Sequence, residues 1–410
     1  MKTKRINDTI DEAAEILQNG GLVAVPTETV YGLAGNGLDP DIIEKIYEIK
    51  GRPAIKPISL MVPGKQAINT LCQNVPEQAM MLAERFWPGP LTLVLESRSA
   101  VPEILRAGGT TVGLRCPRQE KTLSLLEMLD FPLAVPSANP SGKESPKDAD
   151  AVLRFFDGRI EAVIDGGSCA LGLESTVLDM SRTPYRILRQ GSLPAARIIA
   201  ALTENLKVLG ITGGSGCGKT TALRELEKYG ALVLDCDEVY HKLLLENEVL
   251  KDELNSEFPG AVEDGQVKRD RLAAAVFSSE SALQRLNEIT HRHITTELHH
   301  RMEDWAVRGG KLVALDAIEL IGSGLAGECD YTVAITASEE TRVQRIMMRD
   351  SIDRESAMKR IRAQKPNEYF EEHCNVTLSN DGDREEFIQR FNQTMEEVLY
   401  HGKSERKSVF

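Results

Sequence analysis

The chain has 410 residues, of which 41% are hydrophobic and 27% are charged, and its formal net charge is −13. At roughly 100 to 200 residues per domain, this length predicts two or three domains that each bury a core. The acidic balance argues against strong direct binding of nucleic acid by bulk electrostatics. Apolar runs fall short of the roughly 18 residues that cross a bilayer, and the seven cysteines contain no C-x-x-C pair. Free thiols and a cytoplasmic location, away from membranes, are therefore expected.

The first 203 residues predict a mixed α/β domain. A helix is expected at residues 9–18, because Thr9 and Glu12 have capping-box spacing and apolar residues follow on one face. The segment LVAVP should form a buried strand directly after it. Further strands are expected in LTLVLE, TVGLRC, PLAVPS, AVID and TVLDM, with helices at residues 41–49 and 77–86 between them.

A new domain is expected to begin near residue 204. The segment QGSLPAARIIAALTEN reads as a short helix with polar ends, and KVLGITGG then starts a strand-loop-helix unit. Strand candidates ALVLDCDEV, KLVALDAIEL and YTVAITAS alternate with helical segments, ending in a basic amphipathic stretch at residues 340–364. This alternation predicts a parallel, doubly wound sheet for residues 204–402. Residues 403–410 are expected to form a disordered tail.

The stretch GITGGSGCGKTT at residues 210–221 has the phosphate-loop spacing G-x-x-x-x-G-K-[ST]. Glycines at 213, 214, 216 and 218 allow positive φ, so that successive N–H groups can turn toward a β-phosphate at the start of a helix near Thr220. Lys219 would lie along the β- and γ-phosphates, and the Thr220 hydroxyl would help to hold Mg²⁺. The predicted ATP-binding residues of this half are Gly213, Gly214, Ser215, Gly216, Cys217, Gly218, Lys219, Thr220 and Thr221.

Carboxylates and arginines further along the chain indicate phosphoryl transfer. Asp235 and Asp237 follow the second strand, where a carboxylate can accept the proton of an attacking hydroxyl or bind Mg²⁺ through water. Asp316, at the end of the third strand, is a further metal-side carboxylate. Most arginines of residues 340–364 are expected to be solvated, while one or two would close over the transferring phosphoryl group as a lid.

Residues 207–401 resemble the dephospho-coenzyme A kinases, the CoaE family, along their whole length. The matching segments are GITGGSGCGKTT, LDCDEV, RLNEITHRHI, RDSIDRE, RIRAQ and TLSNDG, whereas DAIELIGSG lacks the proline and two leucines common in the family. The resemblance implies a P-loop kinase with a helical lid, which transfers the ATP γ-phosphate to the ribose 3′-hydroxyl of dephospho-coenzyme A. It makes Asp237 the base or the residue that orients the acceptor, Lys219 the phosphate clamp, and Arg345 or Arg349 the lid cation. A nucleoside or nucleotide kinase is the alternative.

Polar residues of the first domain cluster at the ends of its predicted strands. The segment IKGRPAIKP brings Lys50, Arg52 and Lys56 within seven residues, which suits a triphosphate or, alternatively, a solvated basic loop. Hydroxyl and basic groups recur in PTETVYGL, TTVGLRCP, VPSANPSG, GLESTV and ILRQG. Together these segments predict a ligand cavity lined by loops.

Residues 5–200 resemble the YrdC family of threonylcarbamoyl-AMP synthases. The K-x-R and S-x-N signatures of that family appear as Lys50 with Arg52 and Ser137 with Asn139, whereas PISLMV lacks a histidine often found near Met61. The resemblance implies that L-threonine, bicarbonate and ATP give pyrophosphate and threonylcarbamoyl-AMP, the donor for threonylcarbamoyladenosine in tRNA, with Lys50 and Arg52 as catalytic cations. A tRNA threonylcarbamoyl transferase would act downstream. The resemblance places threonine beside Thr27, Arg115, Ser137 and Ser175, and ATP beside Lys50, Arg52, Lys56, Thr111, Asn139, Ser145 and Arg189.

Two rival interpretations of the first domain are weaker. An RNA-binding module fits poorly with the acidic balance and the lack of aromatic-rich strips. A carbamoyltransferase of the hydrogenase-maturation type would carry zinc-type C-x-x-C pairs, which the sequence lacks. The sequence therefore favours a bifunctional α/β enzyme over an RNA-binding module fused to a nucleoside or nucleotide kinase.

Overall fold

The computed structural model describes residues 2–7, 9–276 and 279–401, and the tail expected at residues 403–410 lies outside them. The chain divides into two compact units. The N-terminal unit comprises Met1–Glu204 with Val307–Gly309, and the C-terminal unit comprises Asn205–Ala306 with Gly310–Phe410. Within the described ranges, no helix has both the length and the apolar character needed to span a membrane.

The N-terminal unit is a mixed α/β structure, as predicted. Its helices are α1 (Asp11–Gln18), α2 (Pro40–Lys50), α3 (Gln66–Leu71), α4 (Glu77–Phe86), α5 (Glu120–Met128), α6 (Ala149–Phe156) and α7 (Ala195–Glu204). Its strands are β1 (Lys4–Ile6), β2 (Val23–Val25), β3 (Gly32–Asn36), β4 (Leu60–Met61), β5 (Leu91–Glu96), β6 (Thr111–Arg115), β7 (Leu133–Ala134), β8 (Ala162–Ile164), β9 (Thr176–Asp179) and β10 (Arg186–Arg189).

These ten strands form one sheet in the order β1-β8-β2-β3-β7-β4-β6-β5-β9-β10. Parallel and antiparallel pairs both occur, and two of the parallel pairs lie beside predicted site residues. In the first, Met61 of β4 lies beside Arg115 at the end of β6. In the second, Leu91 of β5 pairs with Thr176 at the start of β9. The register therefore brings residues that lie far apart in sequence, among them the predicted site residue Arg115, to neighbouring strand ends.

The predicted start of the first helix is wrong. Helix α1 begins at Asp11, and Ile10 occupies the cap position without a side-chain hydrogen bond. Glu12, which would have completed the capping box with Thr9, instead pairs with Lys4 Nζ at 2.5 Å. The strand β1 thus supplies a partner for Glu12 that the local sequence pattern does not reveal.

The C-terminal unit contains the predicted parallel sheet, and its strand order is β12-β15-β11-β16-β17. Because β11 is central, the loop after it lies in the middle of the carboxyl edge, where α/β sheets bind ligands. The strands are β11 (Lys207–Thr212), β12 (Ala231–Asp235), the hairpin pair β13 (Val262–Glu263) and β14 (Gln266–Val267), β15 (Leu312–Asp316), β16 (Tyr331–Thr336) and β17 (Val376–Ser379). The helices are α8 (Lys219–Lys228), α9 (Cys236–Glu246), α10 (Glu248–Glu257), α11 (Arg269–Val276), α12 (Glu280–Val307), α13 (Glu339–Asp350), α14 (Arg354–Arg362), α15 (Asn367–His373) and α16 (Arg384–Glu396), with short helical turns at Leu325–Glu328 and Glu397–His401.

The basic amphipathic stretch at residues 340–364 is two helices, α13 and α14, rather than one continuous helix. Ser351 adopts a left-handed conformation with φ of 54°, which ends α13. The Asp353 carboxylate then accepts a hydrogen bond from Ser356 N at 2.7 Å and caps α14. Apolar residues of both helices form a shared small core. The two helices therefore form a packed hairpin whose first member contacts the phosphate loop, as described below.

Candidate active sites

The N-terminal unit encloses a cavity of about 150 Å³ at the strand ends. Three arginines face it, together with one carboxylate, which is the sole acidic group among the described residues of its lining. Hydroxyl groups and a few apolar side chains complete the walls. The charged lining residues are Arg52, Arg115, Arg189 and Glu174, and the hydroxyl-bearing ones are Thr29, Ser59, Thr92, Ser137 and Ser175.

Arg115 is a buried cation at the end of β6. Its NH2 group donates to Thr29 Oγ1 at 2.9 Å and lies 2.9 Å from Glu28 Oε1. Burial lowers the pKa of Arg115, and the Glu28 carboxylate opposes this shift. The buried Nε group has no hydrogen-bond partner among the described residues. Because Arg115 also lines the cavity, its positive charge makes this part of the cavity suited to an anionic ligand.

Thr27 does not line this cavity, although it was predicted to contact threonine. Its Oγ1 accepts hydrogen bonds from Thr29 N at 3.1 Å and Val30 N at 3.2 Å and donates to Val30 O at 2.6 Å. These bonds shape the turn after β2. Thr27 thereby positions Thr29, which contacts Arg115, and the contribution of Thr27 to the cavity is indirect.

Lys50, at the end of α2, is hydrogen-bonded to both residues of the S-x-N signature, and it thereby connects that signature to the K-x-R signature. It is 2% exposed, and its Nζ donates to the carbonyl oxygens of Ser137 and Asn139. Burial, assisted by the nearby charge of Arg52, lowers the pKa of Lys50 to about 7. Ser137 lines the cavity, whereas Lys50 and Asn139 stand behind its wall. The Oδ1 atom of Asn139 is buried and lacks a partner within the described part of the chain.

The other predicted nucleotide contacts differ in position. Arg52 faces the cavity and folds onto its own loop, with Nε donating to Lys56 O at 3.1 Å and NH2 to Pro57 O at 2.8 Å. The Lys56 side chain is exposed and outside the lining. Thr111 starts β6 and Arg115 ends it, so the two lie roughly 13 Å apart at the usual strand rise. The structure therefore does not bring Thr111 to this cavity.

Glu174 is a lining residue that sequence reasoning missed. Its Oε1 accepts from Ser145 Oγ at 3.0 Å, and its Oε2 accepts from Arg189 NH1 at 2.5 Å. Arg189 also donates to Ser175 O and Ser175 Oγ. The available signal was the acidic residue in GLESTV, directly before the predicted contact Ser175. Of the residues predicted for this half, the structure brings Arg52, Arg115, Ser137, Ser175 and Arg189 to one cavity.

The phosphate loop spans the turn from β11 to α8. Glycines 213, 216 and 218 have φ values of 130°, 80° and 99°, as expected for a loop whose N–H groups turn inward. The expected positive φ at Gly214 is wrong, and that glycine serves a different purpose. A Cβ atom on Gly214 would lie 2.2 Å from Arg342 NH2, so the missing side chain makes room for an arginine.

Lys219 and Asp316 form the charged centre of this second site. Lys219 Nζ donates to Gly213 O at 3.1 Å and lies 3.9 Å from Asp316 Oδ1. Burial raises the pKa of Asp316 to about 6, Lys219 opposes the rise, and Asp235 and Asp237 add to it. Asp316 Oδ1 is buried and has no hydrogen-bond partner among the described residues. The carboxylate therefore has an unused acceptor directed at the loop region.

Asp235 and Asp237 have different environments. Asp235 pairs with Asp316 in the β12–β15 ladder, and its Oδ1 accepts from Asp237 N at 2.9 Å and Glu238 N at 3.0 Å. Asp235 is thus the cap of α9. The Asp237 carboxylate is exposed in the first turn of that helix. Over the described residues, no group of three or more His, Cys, Asp or Glu is arranged to hold a metal ion.

The two candidate lid arginines also differ. Arg345 reaches the phosphate loop, where NH1 donates to Gly216 O at 3.3 Å, and its NH2 donates to Asn380 O at 2.8 Å. Arg349 is 59% exposed and makes two hydrogen bonds to Asp350, at 2.8 and 3.0 Å. The structure therefore brings Arg345 to the loop and leaves Arg349 in a surface ion pair.

Gln364 and Arg342 hold the loop residue Ser215 in a way that sequence reasoning missed. Gln364 Oε1 accepts from Ser215 N at 2.9 Å, and its Nε2 donates to Ser215 Oγ at 2.9 Å. Arg342 Nε donates to Ser215 O at 2.9 Å, and its NH2 donates to Gln364 Oε1 at 2.9 Å. Arg342 of α13 and Gln364, which lies two residues after α14, thus bind every polar group of Ser215.

Comparisons with known proteins divide the chain at the same place. Residues 15–191 match the model of the Sua5/YciO/YrdC family, described as Telomere recombination, and residues 207–386 match the CoaE model, described as Dephospho-CoA kinase. A threonylcarbamoyl-AMP synthase from Pyrococcus abyssi is 46% identical over 192 residues, which cover 47% of this chain and 56% of that protein. A putative threonylcarbamoyl-AMP synthase from Methanocaldococcus jannaschii is 33% identical, with coverages of 45% and 86%. A dephospho-CoA kinase from Dehalococcoides mccartyi is 32% identical, with coverages of 43% and 89%.

The chain spans about half the length of the curated synthases that it matches first. Its fold and sites define a mixed α/β unit with an arginine-lined cavity and a parallel-sheet unit with a phosphate loop. The chain belongs to the Sua5/YciO/YrdC family in its first half and to the CoaE family in its second.

Proposed function

We propose that the chain is a bifunctional, ATP-dependent enzyme. The N-terminal unit forms threonylcarbamoyl-AMP and pyrophosphate from L-threonine, bicarbonate and ATP. The C-terminal unit phosphorylates the 3′-hydroxyl of dephospho-coenzyme A. The observation that carries the proposal is the presence of two separate anion-binding centres, the arginine-lined cavity and the loop around Lys219, each within the matching family region.

In the N-terminal unit, the buried Arg115 is the group best suited to the threonine carboxylate. Its place in the cavity lining supports this role, and Thr29, Ser137 and Ser175 supply hydroxyl groups in the same cavity. The threonine amine would take up CO₂ or bicarbonate as a carbamate, and a carbamate oxygen would then attack the α-phosphorus of ATP. Positive charge on the cavity arginines would stabilise the transition state and the departing pyrophosphate.

Lys50 would support the same reaction from behind the cavity wall. It holds the Ser137 and Asn139 carbonyls in place and adds charge when it is protonated. The predicted contacts of ATP with Lys56, Asn139 and Ser145 remain proposals, since all three side chains lie outside the cavity lining. A direct contact with Thr111 is the least supported of the set, because Thr111 starts the strand that Arg115 ends.

In the C-terminal unit, the loop amides and Lys219 would bind the β- and γ-phosphates. Asp237 is a better candidate than Asp235 for accepting the proton of the attacking hydroxyl, because the Asp235 carboxylate already caps α9. Arg345 is a better candidate lid cation than Arg349, because Arg345 already contacts the loop. The first assignment follows from which carboxylate is uncommitted, and the second from which arginine contacts the loop.

The residues present suit a Mg²⁺ ion bound with the nucleotide. Asp316 Oδ1 is a buried acceptor that no described residue uses, and the Thr220 side chain is exposed at the first turn of α8. We propose that Thr220 and Asp316 would hold the ion, with Asp235 or Asp237 contributing through water. When bound, the ion would neutralise charge on the phosphates.

Product analysis of the full chain tests the proposal directly. One reaction contains ATP, L-threonine and bicarbonate, and the other contains ATP and dephospho-coenzyme A, both with Mg²⁺. We expect threonylcarbamoyl-AMP by mass spectrometry in the first reaction and coenzyme A in the second. If either product is missing while the same preparation makes the other, the activity of that unit is refuted. We also propose a cytoplasmic location, with a tRNA threonylcarbamoyl transferase consuming the labile product.

A further inference from the structure

Glu174 joins two predicted nucleotide contacts across the wall of the N-terminal cavity. One carboxylate oxygen accepts from Ser145 Oγ at 3.0 Å, and the other accepts from Arg189 NH1 at 2.5 Å. The three residues come from three separate segments: the loop before α6, the residues just before β9, and the end of β10. Both oxygens of Glu174 are engaged, so the carboxylate is occupied by the protein itself.

Arg189 is held on two sides by consecutive residues. Its Nε and NH2 donate to Ser175 O at 3.1 and 2.9 Å, and NH2 also donates to Ser175 Oγ at 3.1 Å. NH1 is held by Glu174. A guanidinium is planar and rigid, so contacts on both sides fix its orientation as well as its position. Ser175 Oγ is itself 2.9 Å from Thr92 Oγ1, which ties the arrangement to β5.

The backbone around Glu174 reinforces this arrangement. Ser192 N donates to Glu174 O at 2.9 Å. A Cβ atom on Gly191 would lie 2.3 Å from the same carbonyl oxygen, so only a glycine allows the chain after β10 to approach this closely. The position of Arg189 at the cavity is therefore coupled to the Glu174 segment through both side chain and main chain.

A carboxylate is unexpected in a cavity that is otherwise cationic, because it would repel a triphosphate. The pairing reduces this conflict, since the positive charge of Arg189 offsets the negative charge of Glu174. Without the carboxylate, Arg189 NH1 loses a charge-assisted hydrogen bond and the guanidinium gains rotational freedom that nucleotide binding would have to remove. Direct capture of the threonine ammonium by Glu174 is the competing role, because each oxygen accepts one hydrogen bond and keeps a second lone pair, and this role would show as a rise in the KM for threonine in Glu174→Gln.

We propose that Glu174 is a positioning residue that aligns Arg189 and Ser145 for the nucleotide. This inference rests on the proposed synthesis of threonylcarbamoyl-AMP, and it adds a residue to which the family resemblance gave no role. Glu174 acts through its neighbours, so its removal should weaken the use of ATP while leaving threonine recognition by Arg115 intact.

The test is steady-state pyrophosphate release by the full chain, with ATP and threonine varied separately. Glu174→Gln keeps the shape of the side chain and removes its charge, and it should raise the KM for ATP about tenfold, which corresponds to weakening one charge-assisted hydrogen bond. The KM for threonine should change by less than about twofold, and kcat by less than about threefold, because no group that touches threonine is altered. Glu44→Gln, an exposed glutamate of α2, is the matched control and should behave as the parent.

A double-mutant cycle with Arg189→Ala separates positioning from general stability. If Glu174 acts through Arg189, then Glu174→Gln should change the KM for ATP by less than about twofold in the Arg189→Ala background. The same tenfold effect in both backgrounds, or no effect in the parent, would overturn the inference. Glu174→Asp keeps the charge, and a KM for ATP closer to the parent than that of Glu174→Gln would support the role, whereas an equal loss would count against it. A parent protein without threonine-dependent pyrophosphate release would instead refute the proposed activity.

Discussion

Replacing Arg115 with lysine tests whether its guanidinium binds the carboxylate of threonine. Lysine keeps a positive charge opposite the buried Glu28, whose Oε1 lies 2.9 Å from Arg115 NH2. Alanine would instead leave that carboxylate unpaired, at a cost to stability of about 3 to 5 kcal/mol, and would confuse folding with binding. Lysine removes the planar fork, including the Nε group that no described residue engages. The substitution therefore changes the geometry of recognition while it preserves charge.

The expected magnitude follows from the burial of the site. The Arg115 side chain is 7% exposed, so solvent screens its interactions weakly. Loss of one charge-assisted hydrogen bond there is worth about 1.5 to 3 kcal/mol. This predicts that the KM for threonine rises by about ten- to a hundredfold while the KM for ATP changes little.

The assay is pyrophosphate release at fixed bicarbonate, with threonine and ATP varied in separate series. Arg182→Lys is the matched control, because Arg182 is 67% exposed in a surface pair with Asp179 at 3.6 Å, an interaction worth about 0 to 1 kcal/mol. The control should leave both KM values unchanged. If Arg115→Lys shifts only the KM for ATP, or shifts neither constant, the reasoning that places threonine at Arg115 is refuted.

Three further predictions concern the C-terminal site. Lys219→Ala should abolish phosphorylation of dephospho-coenzyme A and leave threonine-dependent pyrophosphate release nearly intact, whereas loss of both activities in a folded variant would argue against independent sites. Asp237→Asn should lower the kinase kcat by at least about tenfold with little change in the KM for ATP, and an unchanged kcat at saturation would exclude its assigned role. Because burial raises the pKa of Asp316 to about 6, kinase kcat/KM should fall as the pH drops through 6 and the carboxylate becomes protonated. Asp316→Asn should remove that acidic limb, and its persistence in the variant would assign it to another group.

The elements predicted best are those whose apolar pattern alone determines them. Helix α4 spans Glu77–Phe86, as the periodicity predicts, and β11, β12, β15 and β16 begin at or within one residue of the predicted segments, whereas β17 was not predicted. The start of α1 was wrong because Ile10, and not Thr9, takes the cap position, and Glu12 pairs with Lys4 of β1 instead of completing a capping box. The break between α13 and α14 had a local signal, since Asp353 is followed by a helical segment that it caps. That boundary could have been read from the sequence, whereas the start of α1 could not.

The sequence predicted those site residues that belong to a recognisable motif. The phosphate loop and the two signatures identified Lys219, Arg52 and Ser137 without any structure. Long-range partners could not be found in this way: Gln364 lies 149 positions from Ser215, to which it is hydrogen-bonded. Membership of the same strand is also a poor guide to membership of the same site. Thr111 and Arg115 both belong to β6, but they lie at its opposite ends. A motif indicates which residues belong to a site, whereas the sheet register determines which residues contact each other there.

Each of the two sites has a carboxylate among cations, and the hydrogen bonding of the two carboxylates differs. Glu174 is 35% exposed, yet each of its oxygens accepts a hydrogen bond from a neighbouring side chain, so it fixes protein groups in place. Asp316 is 17% exposed, and its Oδ1 accepts no hydrogen bond from the described residues although Lys219 lies 3.9 Å away. Burial without a full set of partners raises the pKa of Asp316 and leaves an acceptor that we propose a cation arriving with the nucleotide would use. The unused acceptor, and not the acidic residue type, is therefore the reason that we propose a metal role for Asp316 and a positioning role for Glu174.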